Sequence, residues 1–151
     1  MRLNADYVRD ILLYIEKNLN YDDFSNTHKE INRGKLLRDV YFTNHNKQEL
    51  TYALELLIKS GFIDLADRPN IHDGNIYTAR IIGLTWSGHE LLDNIRDDTV
   101  WNAVKKKAAK YSGLSISALF NGAKCLGSAL MTDPNALQNF LNGVNNIGNM
   151  F

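Results

Sequence analysis

Residues 46–65 read NKQELTYALELLIKSGFIDL, and residues 76–92 read IYTARIIGLTWSGHELL. Asn46 is a helix-capping residue type, and Glu49 falls in the first turn, where the helix dipole favours an acid. Leu50, Ala53, Leu54, Leu57 and Ile58 recur at helical spacing, which predicts an amphipathic helix over residues 47–60. Gly61 stands where a left-handed C-terminal residue is wanted. Residues 62–65 then read as a strand, and 66–75 as a polar loop marked by Pro69 and Asp73-Gly74. Residues 76–84 read as one returning strand, with Ile76, Thr78, Arg80, Ile82 and Leu84 on one face and Tyr77, Ala79 and Ile81 on the other.

Toward the N-terminus, Asn4 caps a helix running to Lys17, whose stripe is Val8, Ile11, Leu12, Ile15 and Leu19. Residues 20–34 form a polar connector with turn signals at Asp22-Asp23, Ser25-Asn26 and Arg33-Gly34, and a short helix is expected over 27–31. Leu36, Leu37, Val40, Tyr41 and Phe42 form an apolar stretch that fits a strand or a helical turn equally well. Beyond the hairpin, Thr85 or Ser87 begins a helix through Leu91, Leu92 and Ile95. Asp97 and Asp98 mark a further start before Val100, Trp101, Val104, Ala108 and Tyr111, so residues 86–111 are one kinked helix or two.

The composition changes at Ser112. From there to the end the only charged residues are Lys124 and Asp133. Ile116, Leu119, Phe120, Ala123, Leu126 and Leu130 predict one helix. Asp133 and Pro134 open another, with Leu137, Phe140, Leu141, Val144 and Ile147 in its stripe. The expected class is mainly α with a small β-hairpin (α+β): a winged helix-turn-helix followed by C-terminal helices. Residues 1–111 form the winged-helix domain, and 112–151 an apolar helical extension for oligomerisation or docking. The helix at 47–60 takes the recognition position and 66–75 the wing.

The blocks Leu84-Thr85-Trp86-Ser87-Gly88-His89 and Leu92-Asp93-Asn94-Ile95-Arg96-Asp97, with Trp101, Arg9-Asp10-Ile11-Leu12 and Ile15-Glu16, resemble the bacterial and phage family called domain of unknown function 2513. The resemblance spans residues 3 to 110. It departs at Ala53, where the pattern has a His after the residue matching Tyr52. It implies a winged-helix-like fold and carries no activity over.

Lys plus Arg number 17 and Asp plus Glu 17, so the chain has no net charge. A protein that binds nucleic acid mainly by neutralising phosphates carries a basic excess, so DNA binding here must rest on a local patch. Lys47, Gln48, Thr51 and Tyr52, with Glu55, stand on the outward side of the 47–60 helix. Gln pairs with adenine, Thr touches a thymine methyl, and Lys reaches guanine or phosphate. Arg68, His72 and Arg80 of the wing are expected to hold backbone phosphates. The leading expectation is a sequence-specific DNA-binding regulator, which the family resemblance implies to be of phage or mobile-element type. Its alternative is a non-catalytic adaptor that engages a host or phage protein.

His28, His45, His72 and His89 are scattered and Cys125 is alone, so neither a metal nor another cofactor is expected. No nucleophile elbow, phosphate-cradling loop or carboxylate pair stands in a recognisable context, and no enzyme is expected. His89 is read as a structural histidine at a helix start, Gly88 as a point of close helix–sheet approach, and Lys105, Lys106, Lys107 and Lys110 as a solvated helix face. The single cysteine, the charged start and the lack of a long apolar run fit a cytoplasmic protein off the membrane. Leu119, Phe120, Leu126, Leu130, Leu137, Phe140, Leu141 and Val144 are expected to hold a homodimer, because little charge accompanies so many large apolar side chains.

Overall fold

Asn4 accepts the Asp6 amide on its side chain and opens α1 (Ala5–Asn18), which buries Val8, Ile11, Leu12 and Ile15 as the spacing predicts. This is a computed structural model, and it describes residues 1–19, 29–111 and 115–148, with side chains to 142. The turn signals at Asp22-Asp23 and Ser25-Asn26, His28, and the side chains of Val144 and Ile147 lie outside the described residues. Two compact units divide the chain, Met1–Leu92 and Asp93–Phe151. The division comes ahead of the composition break at Ser112.

In the first unit Ile31 belongs to a short strand, β1 (Ile31–Asn32), and not to the helix expected over 27–31. Two long-range pairings hold it there: Ile31 registers with Ile81 and Asn32 with Arg80. Asn32 then caps α2 (Arg33–Leu37), and Asp39 caps a 3-10 turn (Val40–Phe42). The apolar stretch that periodicity left open is therefore helical in both halves. Asn46 accepts the Gln48 and Glu49 amides and starts α3 (Lys47–Lys59). Gly61, at φ 76°, turns the chain into β2 (Ile63–Leu65) as its position predicts.

The expected wing loop is half strand. Residues Asn70–His72 (β3) pair antiparallel with Asn75–Thr78 (β4) around Asp73-Gly74. Both turn residues have positive φ, 49° and 77°, which is the backbone of a type I′ turn. The expected single strand over 76–84 breaks at Ala79: β4 belongs to the wing, and β5 (Arg80–Leu84) belongs to a three-stranded sheet ordered β1-β5-β2. The break changes the faces, so Ile76, Ala79 and Ile81 are the residues buried. Thr85 donates to the Gly61 carbonyl and accepts the Gly88 amide, opening α4 (Trp86–Ile95). A Cβ on Gly88 would sit 2.1 Å from the Phe62 carbonyl oxygen, so only glycine lets this helix approach the sheet edge so closely.

Two helices, not one, follow the sheet. Asp97 accepts the Val100 amide and starts α5 (Asp98–Ala108). In the second unit α5 packs against α6 (Ile116–Thr132) and α7 (Ala136–Gly148), and α6 against α7. Its interior is built on Trp101, Val104, Ala123 and Leu126, each almost wholly buried. The molecule is mainly α with a small antiparallel sheet.

Candidate nucleic-acid interface

The residues expected to contact DNA fall into two groups. Gln48 is exposed, Thr51 and Tyr52 are half-buried, and their side chains have no hydrogen-bond partner among the described residues. Arg68 is likewise exposed and unpaired among them. These four are chemically available.

Lys47 and Arg80 are already engaged. Lys47 Nζ donates to the carbonyls of Leu37 (2.9 Å) and Phe42 (3.3 Å), tying the start of α3 to the ends of α2 and of the 3-10 turn. Arg80 donates twice to Asp67 Oδ2 (2.8 and 3.1 Å) and once to Glu30 Oε2 (3.2 Å). Hydrogen bonding to Asp67, then the charges of Asp67 and Glu30, push its pKa above the ordinary arginine range. Its charge is paired within the fold, while the side chain stays about half-exposed. His72 is exposed, with Nε2 3.4 Å from Asp73 Oδ2, and its ring lies edge-on to Tyr77.

Glu55, expected on the outward side, is instead 9% exposed. Arg33 Nη2 donates to Glu55 Oε1 at 2.9 Å, and Lys59 Nζ lies 3.8 Å from the other oxygen. The sequence reading took Arg33 as a turn residue. Only a pairing across 22 positions shows it to be the link that sets α2 on α3. Lys59 also donates to the Gly74 carbonyl at 2.7 Å, so the last turn of α3 holds the wing tip. Lys35 of α2 and Arg38, the residue that caps its end, are exposed and make no ion pair among the described residues.

Polar contacts also fix the start of α3. Tyr14 donates to Asp39 at 2.8 Å, His45 Nε2 meets Asp10 at 2.8 Å, and the Asn46 amide donates to the Tyr7 hydroxyl. Burial first, and the bond to Asp39 second, raise the Tyr14 pKa to about 12. The Tyr41 amide first, then the Tyr14 hydroxyl, hold the Asp39 carboxyl below its usual range. Phe42 packs between the Tyr14 and His45 rings, at 5.0 and 5.2 Å. His89 is half-exposed, with Nδ1 4.0 Å from Glu16.

Of the apolar residues expected to hold a dimer, Leu126 is buried, and Leu119, Phe120, Leu130, Leu137, Phe140 and Leu141 are half-buried. Leu126 is 3% exposed, which takes it out of any interface. Phe120 meets the Trp101 ring, and Leu119 and Phe140 line a cavity beside α5. Leu137 and Leu141 line a shallower hollow with Ala103 and Lys106. Leu130 is half-buried and its neighbour Met131 is exposed. Lys105 and Lys107 sit over the Trp101 and Phe140 rings, while Lys106 and Lys110 are exposed. Among the described residues no helix is long and apolar enough to cross a membrane.

The family model described as "Hypothetical protein (DUF2513)" matches residues 2–115. The chain belongs to this family. An uncharacterized protein of Haemophilus influenzae is 35% identical over 132 residues, covering 87% of this chain and 99% of its own. No solved structure matches the chain. DUF2513 membership joins the hairpin, α4 and α5 in one matched stretch, since the match runs past Ala108.

Proposed function

We propose that this DUF2513 protein is a DNA-binding regulator whose first unit is a winged helix and whose α3 enters the major groove. The observation that carries this reading is the set Gln48, Thr51 and Tyr52. These polar side chains lack internal partners, yet they stand on a helix tied at its start by Lys47 and at its end by Arg33 and Lys59. Base readout needs such preorganised donors and acceptors on a rigid helix. The sheet order β1-β5-β2, with the hairpin leaving between β2 and β5, supports the same reading. Arg68 and His72 on the wing, with Lys35 on α2 and Arg38 at its end, supply the phosphate contacts. The role is binding, and no catalytic step is assigned. A two-fold dimer through the second unit would give two α3 helices for a palindromic site, and light scattering at micromolar concentration reports it.

Selection from random duplex DNA tests the reading. Replacing Gln48 and Thr51 with Ala leaves the fold intact and costs about 1–3 kcal/mol of discrimination per lost base contact. Arg68→Ala lowers the salt slope by about one, whereas Arg80→Ala leaves the slope unchanged, because Arg80 already faces Asp67 and Glu30. Failure to enrich any sequence removes the proposal.

The adaptor alternative has its own support. Ile71 and Tyr77 of the wing are 54% and 66% exposed, an apolar pair on a hairpin that phosphate binding would not require. A contact of that kind holds its affinity as salt rises, unlike one to DNA.

A further inference from the structure

The second unit contains a cavity of about 330 Å³ where α5, α6 and α7 meet. It opens to solvent, and most of its lining is apolar. Its cause lies in the sequence. Val104 and Ala108 of α5 and Tyr111 just beyond it line the cavity, and the residues that α6 brings there include the small Ala118 and Gly122. A Cβ on Gly122 would only just touch Val104 Cγ1, at 3.4 Å. Larger residues would have closed the space and stabilised the helices.

The cavity lining includes one cation, Lys107, and one hydroxyl, that of Tyr111. Lys107 Nζ lies 4.0 Å from the Phe140 ring centroid and makes no ion pair or hydrogen bond among the described residues. Tyr111, in the turn just past α5, lines the same cavity, and its hydroxyl has no partner among them either. An ammonium near an aromatic face and beside an apolar lining still has donors to offer, and an anion would accept from them.

We propose that this cavity binds a small amphipathic monocarboxylate, its apolar body against Leu119, Val104 and Phe140 and its carboxylate on Lys107 and Tyr111. One cation and one hydroxyl suit a single negative charge, and the volume lies at the low end for ligand pockets. The site is independent of α3, so it stands or falls apart from DNA binding.

Titration calorimetry of the full chain with octanoate, and with 1-octanol as its neutral counterpart, tests it. Saturable one-to-one octanoate binding is expected, with octanol about tenfold weaker, the size of one charge-assisted hydrogen bond. Lys107→Met keeps the stem over Phe140 and removes the charge. It is expected to abolish the preference for octanoate while retaining octanol. Gly122→Leu is expected to bind neither, and amide shifts at Leu119 and Gly122 should mark the site in the unaltered chain. No saturable heat with octanoate on the folded protein overturns the proposal, as does a Lys107→Met chain that binds octanoate as tightly as the original. Should Gly122→Leu fail to fold, the Lys107→Met comparison decides alone.

Discussion

α3 of the first unit and α6 of the second are placed by different physics. Each end of α3 is tied to a neighbour by a polar contact: Lys47 to two carbonyls, Glu55 to Arg33, Lys59 to the wing. Among the described residues α6 makes no ion pair, and Ala123 and Leu126 anchor it through apolar burial alone. Polar ties fix position within a few tenths of an ångström because they are directional, whereas apolar burial fixes mainly how much surface is hidden. A surface that reads bases needs the first kind of placement, and a surface around a cavity tolerates the second.

The largest test of this contrast lies in the second unit. Leu126→Ala should cost about 3 kcal/mol in urea unfolding, from lost transfer energy plus the void left behind. That loss should not change with ionic strength. Marked salt dependence would show that charge holds α6 after all.

Next in size is the α2–α3 tie. Arg33→Met strands a carboxylate that is 12% exposed, and should cost about 2 kcal/mol because Lys59 offers partial relief. Removing both charges, Arg33→Met with Glu55→Leu, should restore stability to within about 1 kcal/mol of the original. If the double variant stays as unstable as the single, the pair contributes by packing and not by charge.

Tyr14 gives the smallest and most local effect. Its folded pKa of about 12 lies above the ordinary 10, so the folded chain keeps a proton that the unfolded chain loses in between. Stability therefore falls as pH rises from 10 through 12, and is unaffected by this group below 10. Ultraviolet titration should show two of the seven tyrosines, Tyr14 and Tyr41, ionising late, and Tyr14→Phe should remove the step near pH 12. A uniform titration near pH 10 would show that Asp39 does not hold the hydroxyl.

Much of the fold was legible because its signals are local. Asn4, Asn46, Asp97 and Gly61 act within a turn of where they stand, and the stripes of α1, α3 and α5 need only periodicity. Gly88 was legible as a point of close approach, although the sequence did not name Phe62 as the group approached. What stayed hidden depends on distant pairing. β1 exists because Ile31 meets Ile81, and Arg80 pairs not only with Asp67 but also with Glu30 across 50 positions. Glu55 looks outward by helical phase and is covered only because Arg33 reaches it. Of the candidate interface, the helix and its free polar residues were readable. Which cations were already occupied was not.

The Asp73-Gly74 turn carries a consequence for descent. A two-residue turn with both φ positive pairs His72 with Asn75 and keeps Ile76 turned inward. One extra residue in either arm would invert every side chain beyond it and bring Ile76 to the surface. Lineages of this family can therefore lengthen or shorten the hairpin by matched pairs, one residue from each arm. An odd step needs a bulge, and this hairpin already shifts register once between Asn70 and Ile71, so relatives whose wings differ by a single residue should differ at that shift.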